Sequence, residues 1–120
     1  QRGKDYKRIG ADVIFIEAPK TIDQMKLISK EINAPLLANM IEEGITPNLT
    51  ADQLRKIGFK MVVFPLSSLY SAAFAIKQTL KTLKKTGTTR ELKNKMITFQ
   101  EFNDLVNLSL YKNLEKKYSS

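Results

Sequence analysis

Two polar residues close apolar runs in places where they could do chemistry. Glu17 follows Val13-Ile-Phe-Ile16, and Asn39 follows Leu36-Leu-Ala38. A carboxylate can pass a proton or hold a water. A carboxamide can donate N–H to a carboxylate or a developing oxyanion. Both stand where an unsatisfied polar group is costly. Pattern alone leaves two readings open: each is satisfied by a neighbouring group, or both face one shared polar pocket. Their equivalent places in successive segments favour the pocket. The rest of the inventory removes other chemistries. The 120 residues contain no Cys and no His. That excludes a disulfide framework, thiolate or imidazole metal sites and a Ser–His dyad.

The elements that must position Glu17 and Asn39 are legible in outline. Three short apolar segments read as strands: Ala11–Glu17, Pro35–Met40 and Phe59–Phe64. Pro19 and Pro65 end the first and third. Between them lie two amphipathic helices, each opened by a capping pair, Thr21/Gln24 and Thr50/Gln53. Met25, Ile28 and Ile32 share one face of the first, and Leu54 and Ile57 mark the buried stripe of the second. Gly58 is placed to end the second helix in a left-handed conformation. Glu42–Asn48, with Gly44 and Pro47, reads as a turn-rich stretch. A long helix is expected from Ser67 to Lys85, broken at Gly87. Thr98/Glu101 open a helical tail with Phe99, Phe102, Leu105 and Val106, and Leu108–Tyr118 forms one more helix. Strand centres recur about every 23 to 25 residues. Alternating strand–helix units imply a parallel sheet, and fully apolar strands imply that both its faces are covered. Three parallel strands leave unpaired edges. The pattern therefore reads as the last three βα units of a (β/α)8 barrel, which needs roughly 200 to 250 residues, plus a helical extension. The expected division is 1–86 for the partial barrel and 87–120 for the extension. In such a barrel the site lies at the C-terminal ends of the strands, where Glu17 and Asn39 fall.

Charge gives a competing expectation. There are 20 Lys+Arg against 12 Asp+Glu, a net of +8. Residues 77–95 hold seven basic residues and one acid. Such a stripe could meet a polyanion. Yet Lys77, Lys81 and Lys84 lie opposite Leu69, Ala73, Ile76, Leu80 and Leu83, as on the solvated face of an amphipathic helix. Lys outnumbers Arg 16 to 4, whereas bidentate nucleic-acid readers favour Arg. No nucleic-acid partner is expected. A basic polyanion-binding or assembly module without catalysis is the alternative of another class. No apolar run reaches the roughly 18 residues of a membrane span, so a soluble, cytoplasmic chain is expected.

Three longer segments carry a family resemblance: Gly10-Ala-Asp-Val-Ile-Phe-Ile-Glu-Ala-Pro19, Pro35-Leu-Leu-Ala-Asn-Met-Ile-Glu42 and Gly58-Phe-Lys-Met-Val-Val-Phe-Pro-Leu-Ser-Ser-Leu69. With Gly87-Thr88 and Met96–Asn103 they carry a resemblance that keeps order and spacing over almost the whole chain. The chain resembles the isocitrate lyase/phosphoenolpyruvate mutase superfamily, and within it the C-terminal part of methylisocitrate lyases, oxaloacetate decarboxylases and carboxyphosphonoenolpyruvate phosphonomutase-like proteins. The resemblance implies barrel strands six to eight and C-terminal helices exchanged between subunits of a homo-oligomer, usually a tetramer. It implies Mg²⁺-dependent making or breaking of a C–C or P–C bond beside a 2-oxo acid, through a pyruvate-type enolate. Glu17 matches the family's catalytic glutamate, in contact with the substrate and metal-water network. Asn39 matches the asparagine that bonds a substrate carboxylate. Met40, Ile41, Glu42, Pro65 and Leu66 match the substrate-binding wall. The Mg²⁺ ligands, the mobile loop with its reactive cysteine and an arginine on strand five are expected upstream, so the 120-residue chain alone is expected to be inactive. Tyr70 and Phe99 stand where methylisocitrate lyases carry arginines, and neither can clamp a carboxylate. A 2-oxo or 2-hydroxy dicarboxylate or a phosphonate is thus the expected substrate, with methylisocitrate as the alternative.

Overall fold

The computed structural model describes residues 1–119. It is an α/β chain with a small parallel sheet. In order, the elements are α1 (Arg2–Arg8), β1 (Ile14–Phe15), α2 (Ile22–Glu31), β2 (Leu36–Asn39), α3 (Ala51–Ile57), β3 (Met61–Val63) and α4 (Ser67–Thr86). A 3-10 turn (Arg90–Lys95), α5 (Phe99–Leu105) and α6 (Leu108–Tyr118) follow. The chain falls into two compact units, Gln1–Phe74 and the residues from Ala75 onward. The 86/87 position singled out in the sequence is the C-terminus of α4, where Gly87 adopts φ +70°.

In the first unit the sheet order is β1-β2-β3, all parallel. Ile14 pairs with Leu36, and Leu37 with Met61. The outer strands are shorter than the apolar runs that encode them. Each has a neighbour on one side only: β1 pairs with Leu36 and Leu37, and β3 with Leu37 to Asn39. Side chains alternate across the pleat. Leu36 and Ala38 are buried on the helix-covered side with Ile14, Met25, Ile32, Met40, Leu49, Leu54 and Phe59. Within this unit no element covers the other side. Val13, Phe15, Met61 and Val63 are between 39% and 45% exposed there. The expectation of two covered faces is met on one face only.

The helix ends follow the sequence chemistry closely. Thr50 accepts from the Gln53 amide, and the Gln53 side chain accepts from the Thr50 amide (3.2 and 2.9 Å). Thr98 and Glu101 do the same. Thr21 accepts from Gln24, but the Gln24 side chain reaches one residue further back, to the Lys20 amide (2.7 Å). Gly58 ends α3 at φ +113°, and a Cβ there would lie 2.1 Å from Ser29 Oγ. α1 has no apolar periodicity to announce it. It docks through Gly3, where a Cβ would stand 2.7 Å from Ile32 Cδ1, and through the Lys4–Glu31 ion pair.

In the second unit α5 packs against α6, with Asn107 in the left-handed region (φ 53°) between them. No described residue of α5 or α6 is buried, and Phe99 and Leu105 are 84% and 75% exposed.

Candidate active site

The pleat of β2 decides where Asn39 goes. With Leu36 and Ala38 committed to the core, Leu37 and Asn39 face the other side. Asn39 pairs with Val63, and the next amide, Met40 N–H, donates to Val63 O (2.9 Å). The backbone under Asn39 is therefore held by the ladder on its β3 side. Leu37 pairs with Phe15. Glu17 comes two residues past Phe15, beyond the end of β1.

The two side chains meet at one pocket of about 240 Å³, lined by Glu17, Ala18, Asn39, Ile41, Gly44, Ile45 and Thr46. Asn39 is half-buried, and its Oδ1 is buried without a hydrogen-bond partner. Such a group lacks a partner that a ligand or water can supply. Glu17 is exposed. Ala18, directly after it, has φ +51°, and Glu43 in the facing loop has φ +58°. Left-handed backbone in non-glycine residues costs on the order of 1 kcal/mol. Strain of this kind clusters at functional sites.

The remaining expected site residues are placed differently. Ile41 lines the pocket. Met40 is fully buried in the core, and its sulfur accepts the Leu49 amide (3.4 Å), which closes the loop between them. Glu42 Oε1 accepts the Ser67 hydroxyl, and Oε2 is buried without a partner. The Ser67 hydroxyl, and then the backbone amide of Glu42 itself, hold the Glu42 carboxyl below the usual carboxylate range against the opposing effect of burial. Pro65 is exposed and Leu66 half-buried in the turn from β3 into α4. Gly44, Ile45 and Thr46 on the pocket wall come from the segment legible only as turn-rich. Ser67 was legible as the start of the long helix, not as the partner of Glu42.

Among the described residues no group of three acidic side chains converges to hold a cation. Mg²⁺ prefers carboxylate and water oxygens in octahedral array. Glu17 alone does not make that set, so the described residues do not fit a Mg²⁺ site by themselves.

No family model matches the chain. Curated relatives do. The chain is 45% identical over 115 residues to the chloroplastic carboxyvinyl-carboxyphosphonate phosphorylmutase of Arabidopsis thaliana, covering 96% of this chain and 34% of that protein. It is 39% identical over 120 residues to the 2,3-dimethylmalate lyase of Eubacterium barkeri, covering 100% of this chain and 42% of that protein. A solved structure of 2,3-dimethylmalate lyase, described as a PEP mutase/isocitrate lyase superfamily member, superposes with TM-score 0.83 at 27% identity. That match covers 99% of this chain and 40% of the other. The chain is related to the PEP mutase/isocitrate lyase superfamily. The superfamily relatives named here are lyases and mutases, and the chain spans 34% to 42% of the length of these curated ones. The superfamily match reaches from α1 through α6, so it includes both the pocket and the helical tail. Among the described residues no helix is long and apolar enough to cross a membrane.

Proposed function

We propose that this chain supplies the last three βα units and part of the active site of a (β/α)8 lyase or mutase. Its substrates are 2-oxo or 2-hydroxy dicarboxylates or phosphonates, and it makes or breaks a C–C or P–C bond through a pyruvate-type enolate. The observation that carries this is the shared pocket. Glu17 and Asn39 line one cavity at the C-terminal ends of adjacent parallel strands, and Asn39 Oδ1 is orphaned there. The open apolar sheet face supports the barrel, whose interior would cover Val13, Phe15, Met61 and Val63.

The roles follow from the side chains. Asn39 donates N–H to a substrate carboxylate and so fixes the substrate against the strand ends, while its orphaned Oδ1 is left to accept from a substrate hydroxyl or a water. Glu17 bonds and exchanges a proton with a substrate hydroxyl or a water beside the reacting bond. Ile41 supplies an apolar part of the pocket wall, and Pro65 and Leu66 are assigned to the substrate wall by the family resemblance alone. Mg²⁺ is assigned to ligands outside the described residues, and no step above depends on it. The exposed apolar residues of α5 and α6 support a homo-oligomer built through the C-terminal helices.

Activity on this reading needs a longer native polypeptide that contains these residues, the 120-residue chain alone being inactive, and the test is turnover by that native polypeptide. Incubation with 2,3-dimethylmalate, oxaloacetate, phosphonopyruvate or methylisocitrate, with and without Mg²⁺, is followed by NMR of the acids. Enzyme-dependent conversion of a dicarboxylate or phosphonate is expected, in a species that light scattering shows to be larger than a monomer. No conversion of any of them would remove the catalytic proposal, and a monomer would remove the assembly.

A further inference from the structure

The wall of the pocket is held by a contact that the proposed chemistry does not use. Ile41, Gly44, Ile45 and Thr46 line the pocket, whereas Glu42 in the same loop is not among the lining residues. Its Oε1 accepts the Ser67 hydroxyl instead. Ser67 opens the 20-residue helix α4. The bond therefore ties the loop after β2 to the first turn of a long helix, where the helix dipole favours a carboxylate. The loop has no ladder to hold it. It carries Glu43 at φ +58°, and a Cβ on Gly44 would stand 3.0 Å from Ile41 O. A charge-assisted hydrogen bond is a strong restraint on such a segment.

We propose that Glu42 and Ser67 form a positioning clasp that fixes the Ile41–Thr46 loop, and with it the shape of the Glu17/Asn39 pocket. Its catalytic consequence rests on the reading of that pocket given above. Glu42 then acts from behind the wall. Oε1 accepts the Ser67 hydroxyl, while Oε2 is buried without a hydrogen-bond partner, so the Ser67 bond is the side-chain contact that orients the carboxylate.

The native polypeptide is the material for the test. Ser67→Ala is expected to raise KM about tenfold, with kcat within about twofold, because loop order is lost while the reacting groups remain. Ser67→Thr, which keeps the hydroxyl, restores KM. Glu42→Gln, which keeps the acceptor without the charge, falls between wild type and Ser67→Ala. Glu42→Ala combined with Ser67→Ala is no worse than either alone, since both break one bond. Unchanged KM in Ser67→Ala, or losses that add in the double variant, would overturn the clasp. Wild-type turnover separates the two claims. If wild type converts no substrate, the function fails and the clasp is decided by amide hydrogen exchange over residues 41–46. Ser67→Ala should speed that exchange about tenfold and Ser67→Thr should not. Equal exchange in all three proteins would overturn it.

Discussion

Replacing Glu17 by Gln in the native polypeptide is expected to lower kcat about a hundredfold or more. Gln keeps the size and the hydrogen-bonding oxygen but cannot take up a proton. The fold should not change, because Glu17 is exposed and belongs to no strand or helix. KM should move by only a few-fold, since on this account Asn39 and not Glu17 grips the carboxylate. The measurement is steady-state kinetics beside a thermal melt of both proteins. A variant with wild-type kcat would show that proton transfer at Glu17 is no part of the reaction. A matching fall in melting temperature would point to a structural role for the carboxylate instead.

Leu54→Ala is expected to cost about 3 kcal/mol of stability. Leu54 is the buried residue of α3 and joins Met25, Leu36 and Phe59 in the core. A helix of seven residues is far below the length that is stable alone. Its order depends on that one side chain, on the Thr50/Gln53 capping box and on the left-handed end at Gly58. Removing the side chain leaves a cavity beneath the middle strand. Ile57→Ala, at a half-buried position of the same helix, should cost about 1 kcal/mol or less. Urea denaturation read by circular dichroism gives both values. Equal effects at the two positions would mean that the core is not centred where the structure places it.

The fold was legible where one local rule acts alone. The three apolar segments became the three strands, and the Thr–Gln and Thr–Glu pairs opened their helices. Parallel order followed from strand–helix alternation. The failures have physical causes. α1 is held by a glycine in close approach and one ion pair, and neither leaves a periodic pattern. The outer strands are short because pairing, and not hydrophobicity, sets strand length. The open face of the sheet is an apolar surface that no element within the first unit covers, and strand composition alone does not say what would cover it. In the site, Glu17 and Asn39 could be placed together because each closes an apolar run at an equivalent place in successive strand segments. Met40 lies just past the strand and still follows its alternation, on the core side with Leu36 and Ala38. Glu42 lies further into the loop, where alternation no longer says which way a side chain points. It turns to Ser67, a hydroxyl 25 residues away, and that pairing has no signal in the sequence.

The central claim is that Glu17 and Asn39 act on one substrate. The most direct measurement is a crystal structure of the native polypeptide with a small dicarboxylate such as oxalate bound. The account predicts oxalate in the Glu17/Asn39 pocket, with the Asn39 carboxamide within about 3 Å of a carboxylate oxygen and Glu17 bonded to the ligand directly or through one water. Oxalate bound elsewhere at full occupancy, with both side chains untouched, would contradict it.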